Sequence, residues 1–123
     1  MSKEYQLLLT KEQAWLVATA CEFYARIRLG QFREIPFRLM LHDYGKNYCE
    51  RRDEAERLLF EARERIYPEL HGSGHSYGIG KFDDADQAFD VFQVIRKEIF
   101  PDSREVFTYQ DEIPIFKKLE ESK

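Results

Sequence analysis

The residues best suited to ligand chemistry are concentrated in one segment, 71–80, which reads HGSGHSYGIG. It contains four of the six glycines and two of the three histidines in the chain. Glycines let backbone N–H groups approach an anion, and the N-terminus of a following helix adds a favourable dipole. The segment therefore predicts either a loop that binds a phosphate-like anion or a plain connector between two helices.

Neither common phosphate-loop fingerprint is complete in this segment. The Walker A pattern needs serine or threonine after its lysine, whereas Lys81 is followed by Phe82. The dinucleotide pattern G-x-G-x-x-G starts at Gly72, but its last position is Tyr77. The next helix begins with acidic residues, which would repel a phosphate placed on that terminus. An anion would therefore bind earlier in the loop, with help from basic residues elsewhere.

We predict a ligand-binding site that combines this loop with the arginines around the end of the first helix. Guanidinium groups form paired hydrogen bonds with phosphate, and an exposed tyrosine can stack on a base. Ordinary surface charge and a tyrosine tucked into the core are the competing interpretations. The candidate ligand-binding residues are Arg26, Arg28, Arg33, His71, Ser73, Gly74, His75, Ser76, Tyr77 and Gly78.

Catalytic and metal-binding patterns are weaker in this sequence. His71 and His75 are four residues apart, but helical spacing does not apply in a glycine-rich segment. Cys49, with His42 and Asp43, has no local signature of a nucleophile or metal site. G-x-S-x-G and H-E-x-x-H are also absent from the sequence. We therefore predict no catalytic residue, no metal and no cofactor, and the question of enzymatic activity stays open.

The elements that must position the site are predicted to be mainly helical. Thr10 and Gln13 form a capping box at the start of a helix over 11–29, which ends at Gly30. The other predicted helices lie near 36–41, 49–67 and 84–100, and short strands are predicted over 5–9, 106–109 and 113–116. We expect one domain over 1–123, a compact bundle of three to four helices with accessory strands at its termini and a frayed tail from about 118.

Apolar spacing predicts how these helices pack. The first and fourth helices are apolar over most of their circumference, which indicates a buried position or a homo-oligomer interface. The third helix has one apolar stripe, which we expect to face inward. That stripe comprises Ala55, Leu58, Leu59, Ala62 and Ile66, and the main stripe of the fourth helix comprises Ala85, Phe89, Phe92, Ile95 and Ile99.

Composition limits the classes of partner. The net charge of −4 and the pI near 5.4 argue against a protein that binds duplex nucleic acid. No segment approaches the roughly 20 apolar residues of a membrane span. The two cysteines form no C-x-x-C pair, which favours a reduced cytoplasmic protein.

Three blocks of the chain resemble small uncharacterised proteins of phages and prophages of Gram-positive bacteria. These blocks are EFYARIRLGQFREI at 22–35, HSYGIG at 75–80 and FDVFQVIR at 89–96, and the resemblance spans about Tyr5 to Ile99. The family has no assigned activity, so the resemblance implies no catalytic residue. It implies a small accessory protein in a bacterial host cytoplasm, a class that includes helical oligomers that sequester nucleotide immune signals.

The leading hypothesis is a non-enzymatic protein that binds and sequesters an anionic small ligand. In the context of the resemblance, that ligand would be a cyclic or ADP-ribose-like nucleotide, and the protein would be an anti-defence sponge that forms a homo-oligomer. The alternative is a protein–protein inhibitor or adaptor that acts on a host protein. The third hypothesis is a small nucleotide hydrolase that uses His71 or His75.

Overall fold

The computed structural model describes residues 3–42, 45–102, 108–110 and 114–119, and this part of the chain is mainly helical. The mainly α class predicted from the sequence is therefore confirmed. The elements are α1 (Lys11–Arg28), α2 (Glu34–Leu39), α3 (Tyr48–Ile66), a 3-10 turn (Pro68–Leu70) and α4 (Asp83–Ile99).

The ends of α1 are fixed as the sequence predicts. The hydroxyl of Thr10 accepts from the Gln13 N–H at 3.1 Å, and the Gln13 side chain accepts from the Thr10 N–H at 3.0 Å. Gly30 follows the last helical residues with a φ of 91°, a left-handed conformation that favours glycine. A Cβ at Gly30 would also lie 3.1 Å from Cδ1 of Leu70, so the chain turns here in close contact with the 3-10 turn.

The core is built where α1 and α4 pack along each other. Ala14, Ala18 and Ala25 of α1 are buried, and Ala85 and Ile95 of α4 are buried opposite them. Alanines let two helix backbones approach closely, so the larger side chains of α4 fill the space on either side. The Trp15 ring closes one end of this core, edge to face with Phe100 at 5.1 Å between ring centroids.

The third helix is oriented differently from the prediction. Within the described chain, α3 packs against α2 and the 3-10 turn rather than against the α1–α4 pair. Its one buried residue is Arg63, whereas Leu58 and Ile66 are 52% and 59% exposed. The expectation that the apolar stripe of α3 faces inward is therefore met only in part, because Ala55, Leu59 and Ala62 are half-buried while Leu58 and Ile66 stay exposed.

The predicted terminal strands are not seen in the described residues. Residues 5–9 form neither helix nor strand, and Tyr5, Leu7 and Leu8 stay exposed. The segments 106–109 and 113–116 lie partly outside the described residues, and their described parts form no strand. The backbone N–H groups of Tyr109 and Gln110 donate instead to the buried Asp90 carboxylate, at 2.7 and 3.1 Å, so a side chain of α4 takes the place of a strand partner.

Candidate functional site

A groove of about 530 Å³ opens between the α1–α2 turn, one side of α3 and the glycine-rich loop. The α1–α2 turn and α2 line one wall, α3 lines the opposite wall, and the loop lies across one end. The groove is lined by Gly30, Gln31, Phe32, Arg33, Glu34, Phe37, Glu56, Leu59, Phe60, Arg63, Gly74 and Ser76.

Arg63 is the most unusual residue of this groove because it is a buried cation. It is only 6% exposed, and its guanidinium donates to backbone carbonyls of Leu70, Ser73 and His75, the last at 3.1 Å. The Phe60 ring lies beside the guanidinium, with 4.7 Å from Cζ to the ring centroid. Among the described residues no carboxylate pairs with Arg63, and its buried Nε has no hydrogen-bond partner.

The glycine-rich loop takes its shape from these contacts. Its carbonyls turn inward to Arg63, which requires tight turns, and Gly72 and Gly80 have φ values of 71° and 93°. The Tyr77 N–H donates to the carbonyl of Leu29 at 2.9 Å and so ties the loop to the end of α1. The loop therefore serves as a connector that is folded around an arginine.

The same loop leaves two backbone donors at the groove. The N–H groups of Gly74 and Ser76 have no acceptor among the described residues, because the loop bonds involve its other amides. Across the groove, the Arg33 side chain is 85% exposed, and its nearest carboxylate is Glu56 at 3.9 Å. Cationic and N–H donors thus face one cavity from different elements.

The carboxylates at the groove are already paired. Glu34 accepts from Arg38 at 3.0 Å and lies 3.8 Å from Arg26, and Glu56 lies near Arg33. The charge of Arg63 is therefore the one at this groove that no described side chain of opposite charge balances. A groove whose carboxylates are paired and whose buried arginine has no described counter-ion is suited to a ligand of negative charge.

The structure brings three of the ten predicted site residues to the groove, namely Arg33, Gly74 and Ser76. The others do not line it: Arg26, Arg28, His71, Ser73, His75, Tyr77 and Gly78. Sequence reasoning missed Arg63, the phenylalanines and the α3 wall. The signal for Arg63 was its position four residues after Leu59 and four before Tyr67, where an arginine interrupts a row of larger apolar and aromatic side chains.

Arg28 and Tyr77 lie in a separate aromatic cluster formed with Tyr67 and Phe82. The Arg28 guanidinium covers the Phe82 ring at 3.7 Å, and the Tyr77 ring meets Tyr67 and Phe82 edge to face at 5.2 and 5.5 Å. The Tyr77 hydroxyl donates to Glu69 at 2.8 Å. These contacts occupy the ring faces and the guanidinium that a ligand would need, and they join the end of α1 to the residue that follows α3 and to the start of α4.

Asp84 pairs with this cluster from the start of α4. It accepts from the Tyr24 hydroxyl and from Nε of Arg28, the latter at 3.2 Å. The hydrogen bond from Tyr24, reinforced by Arg28, holds the pKa of Asp84 below its ordinary value. In this structure Arg28 forms an ion pair that joins α1 to α4, and its role in ligand binding stays a prediction.

The remaining predicted residues are paired or exposed. Arg26 donates to Glu22 at 3.1 Å and to Gln31 at 3.0 Å, and His71 lies 2.9 Å from Glu64. His71 and His75 are both exposed and lie outside the groove lining. These two histidines therefore have no position from which to act on a molecule held in the groove.

Metal and thiol chemistry find little support in the described part of the chain. No group of three or more potential metal ligands occurs there, and Asp43 lies outside the described residues. Burial raises the pKa of the Cys21 thiol, which makes it a poorer nucleophile. None of the described helices has the length and apolarity that a membrane span requires.

No protein-family model, curated protein or solved structure matches this chain. A conclusion about function therefore depends on the chemistry of the groove.

Proposed function

We propose that this protein is a non-enzymatic binding protein that sequesters a small anion with a planar ring in the groove between α2, α3 and the glycine-rich loop. The observation that carries the proposal is the buried Arg63, which has no counter-ion among the described residues. Burial of a cation costs several kcal/mol even after relaxation, and here three backbone carbonyls but no described carboxylate offset that cost. A bound anion would offset more of that cost. The binding free energy gained from an anionic ligand is therefore larger here than at a site whose arginine is exposed.

The rest of the groove fits such a ligand. Arg33 reaches the groove from the opposite wall, and the open N–H groups of Gly74 and Ser76 can donate to anionic oxygens. The Phe37 ring is 59% exposed at the groove and offers a face on which a planar ring can stack. A ring joined to a phosphate satisfies both features, and nucleotides are the common ligands of that kind.

Sequestration suits this site better than turnover. The groove carboxylates Glu34 and Glu56 are held by arginines, and neither histidine of the loop lines the groove. General acid–base catalysis needs a titratable group within hydrogen-bond reach of the reacting atom. In the phage context that the sequence resemblance implies, binding without turnover would remove a nucleotide signal of the host from solution.

The test is a calorimetric titration with adenosine monophosphate, paired with native mass spectrometry of protein purified from bacteria. Arg33→Ala removes an exposed groove cation, and Arg57→Ala removes an exposed arginine of α3 outside the groove. We expect Arg33→Ala to weaken binding about tenfold or more, as for loss of a hydrogen bond to a charged group, and Arg57→Ala to leave it unchanged.

Inorganic phosphate serves as the ring-free comparison and should bind more weakly than the nucleotide. The proposal is overturned if adenosine monophosphate does not bind and the purified protein carries no small-molecule mass. Equal affinities of the Arg33→Ala and Arg57→Ala variants would overturn the placement of the site in this groove.

A further inference from the structure

The outer face of α3 is an apolar surface that the described chain leaves partly uncovered. We define this face by Ala55, Leu58, Ala62 and Ile66, which succeed one another at spacings of three and four and so share one side of the helix. Leu58 is 52% exposed and Ile66 is 59% exposed. None of these four residues lines the groove, although Leu59, which does line it, lies on the neighbouring side of the helix.

Large and small residues alternate along this face in an order that lets it pack against a second, antiparallel copy of itself. If two copies of α3 cross antiparallel with the two-fold axis near residue 60, Leu58 of one copy faces Ala62 of the other, and Ala55 faces Ile66. Each large side chain then meets a small one, which is the pattern that lets two helices interdigitate. An interface of this kind uses the same patch on both copies.

The charges beside the face follow the same register. Glu54 and Arg65 lie on one flank of the outer face, five to six residues on either side of residue 60. In the antiparallel pair, Glu54 of each copy lies opposite Arg65 of the other. Arg65 is exposed and makes no ion pair within the described chain, whereas Glu54 is bound within its own chain by Arg57, which also pairs with Glu61 at 2.9 Å. The pairing across the two-fold axis would therefore add a second arginine to the Glu54 carboxylate.

The helices α1 and α4 offer less for self-association. The described α4 exposes no large apolar side chain. On α1, Leu16 and Tyr24 are exposed but lie on different faces, and the Tyr24 hydroxyl is bound to Asp84 within the chain. The sequence-based expectation of an oligomer through α1 or α4 therefore lacks the charge and size matching that α3 provides.

We infer that α3 is a self-association surface through which two copies of this chain pair antiparallel, with Leu58 against Ala62 and Glu54 against Arg65. One helix face is a small contact, at the low end of specific interfaces, so the dimer dissociates on dilution. Apolar contact gives this dimer its affinity, and the two crossed ion pairs set its orientation.

Sedimentation velocity over a wide range of protein concentration tests this inference. Leu58→Glu places two like charges beside the two-fold axis and should raise the dimer dissociation constant about tenfold or more. The matched control is Leu16→Glu, which changes a more exposed leucine of α1 and should leave the constant unchanged. Circular dichroism and thermal melting confirm that both variants fold.

Charge reversal provides a second test that does not depend on Leu58. Glu54→Arg alone and Arg65→Glu alone should each weaken the dimer. The double variant should recover most of the affinity, because it again places an arginine opposite a glutamate, with the two positions exchanged. A wild-type chain that stays monomeric throughout, a Leu58→Glu variant that dimerises normally, or a double variant without recovery would each overturn the inference. Affinity for adenosine monophosphate, measured in the same variants, separates this interface from the groove.

Discussion

The apolar stripes of α4 and α3 have the same helical spacing but different surroundings. On α4, Ala85 and Ile95 are buried against α1. On α3, Leu58 and Ile66 remain more than half exposed, and the helix is held through Arg63. The stripe predicts the helix and its apolar side in both cases, but it does not specify whether the covering surface belongs to the same chain.

The difference arises from what each helix meets. The α1 surface opposite α4 presents buried alanines, which let the two backbones approach and gain close packing. The contact side of α3 instead satisfies backbone carbonyls of the glycine-rich loop with a guanidinium. One region of the molecule is therefore stabilised mainly by apolar burial, and the other mainly by polar contacts around one buried charge.

The largest expected contrast between the two regions comes from matched truncations. Ile95→Ala removes a buried side chain that is 4% exposed, and we expect a loss of about 2–5 kcal/mol in the free energy of unfolding. Leu58→Ala removes a side chain of similar size from the outer face of α3, and we expect a change within about 0.5 kcal/mol. Urea denaturation at concentrations that keep the protein monomeric measures both.

Equal losses for these two variants would contradict the comparison. Such a result would mean that the outer face of α3 is covered within the single chain. A large loss for Leu58→Ala that appears only at high protein concentration would instead support the dimer.

An intermediate effect is expected at the side chain that joins the two regions. Tyr67 follows α3, and its hydroxyl donates to the Arg28 carbonyl at 2.7 Å and accepts from Nη1 of Arg28 at 2.9 Å. Tyr67→Phe leaves these groups at the end of α1 without that partner, and we expect a loss of about 1–3 kcal/mol. Tyr5→Phe removes a hydroxyl from an 88% exposed tyrosine and is the matched control.

Hydrogen exchange shows where the Tyr67→Phe effect is felt. If α3 depends on this joint, its amides should exchange faster in the variant while those buried between α1 and α4 keep their protection. If amide exchange becomes faster to the same extent along the whole chain, the two regions unfold together and do not differ in local stability.

The sequence predicted the parts of the structure that depend on neighbours in the chain. The capping box at Thr10, the turn at Gly30 and the helical stripes are local patterns, and each is present. The carbonyl shell of Arg63 joins residues up to twelve positions apart in a loop without regular structure, and no period signals it. The candidate site in the groove differs from the predicted one for that reason, because the loop closes around an arginine that no motif or apolar stripe singled out.

The smallest expected effect is an acid-dependent one at the start of α4. The hydrogen bond from Tyr24 and the charge of Arg28 lower the pKa of Asp84 in the folded state. A carboxylate with a lowered folded pKa contributes stability above its unfolded pKa, near 3.8, and that contribution disappears as the pH falls through the folded value. Asp84→Asn should therefore lower the urea midpoint slightly at pH 7, and the difference from wild type should shrink in acid.

The control for this titration separates a bond between helices from one within a helix. Arg57 lowers the pKa of Glu54, and both residues lie on α3, so at concentrations that keep the protein monomeric Glu54→Gln removes a contact that joins no two elements. Tyr24→Phe removes the first cause of the Asp84 shift, and the NMR-detected pKa of Asp84 should rise toward its ordinary value. If that pKa does not move, Asp84 is not held by α1, and the start of α4 is stabilised only by its own helix dipole.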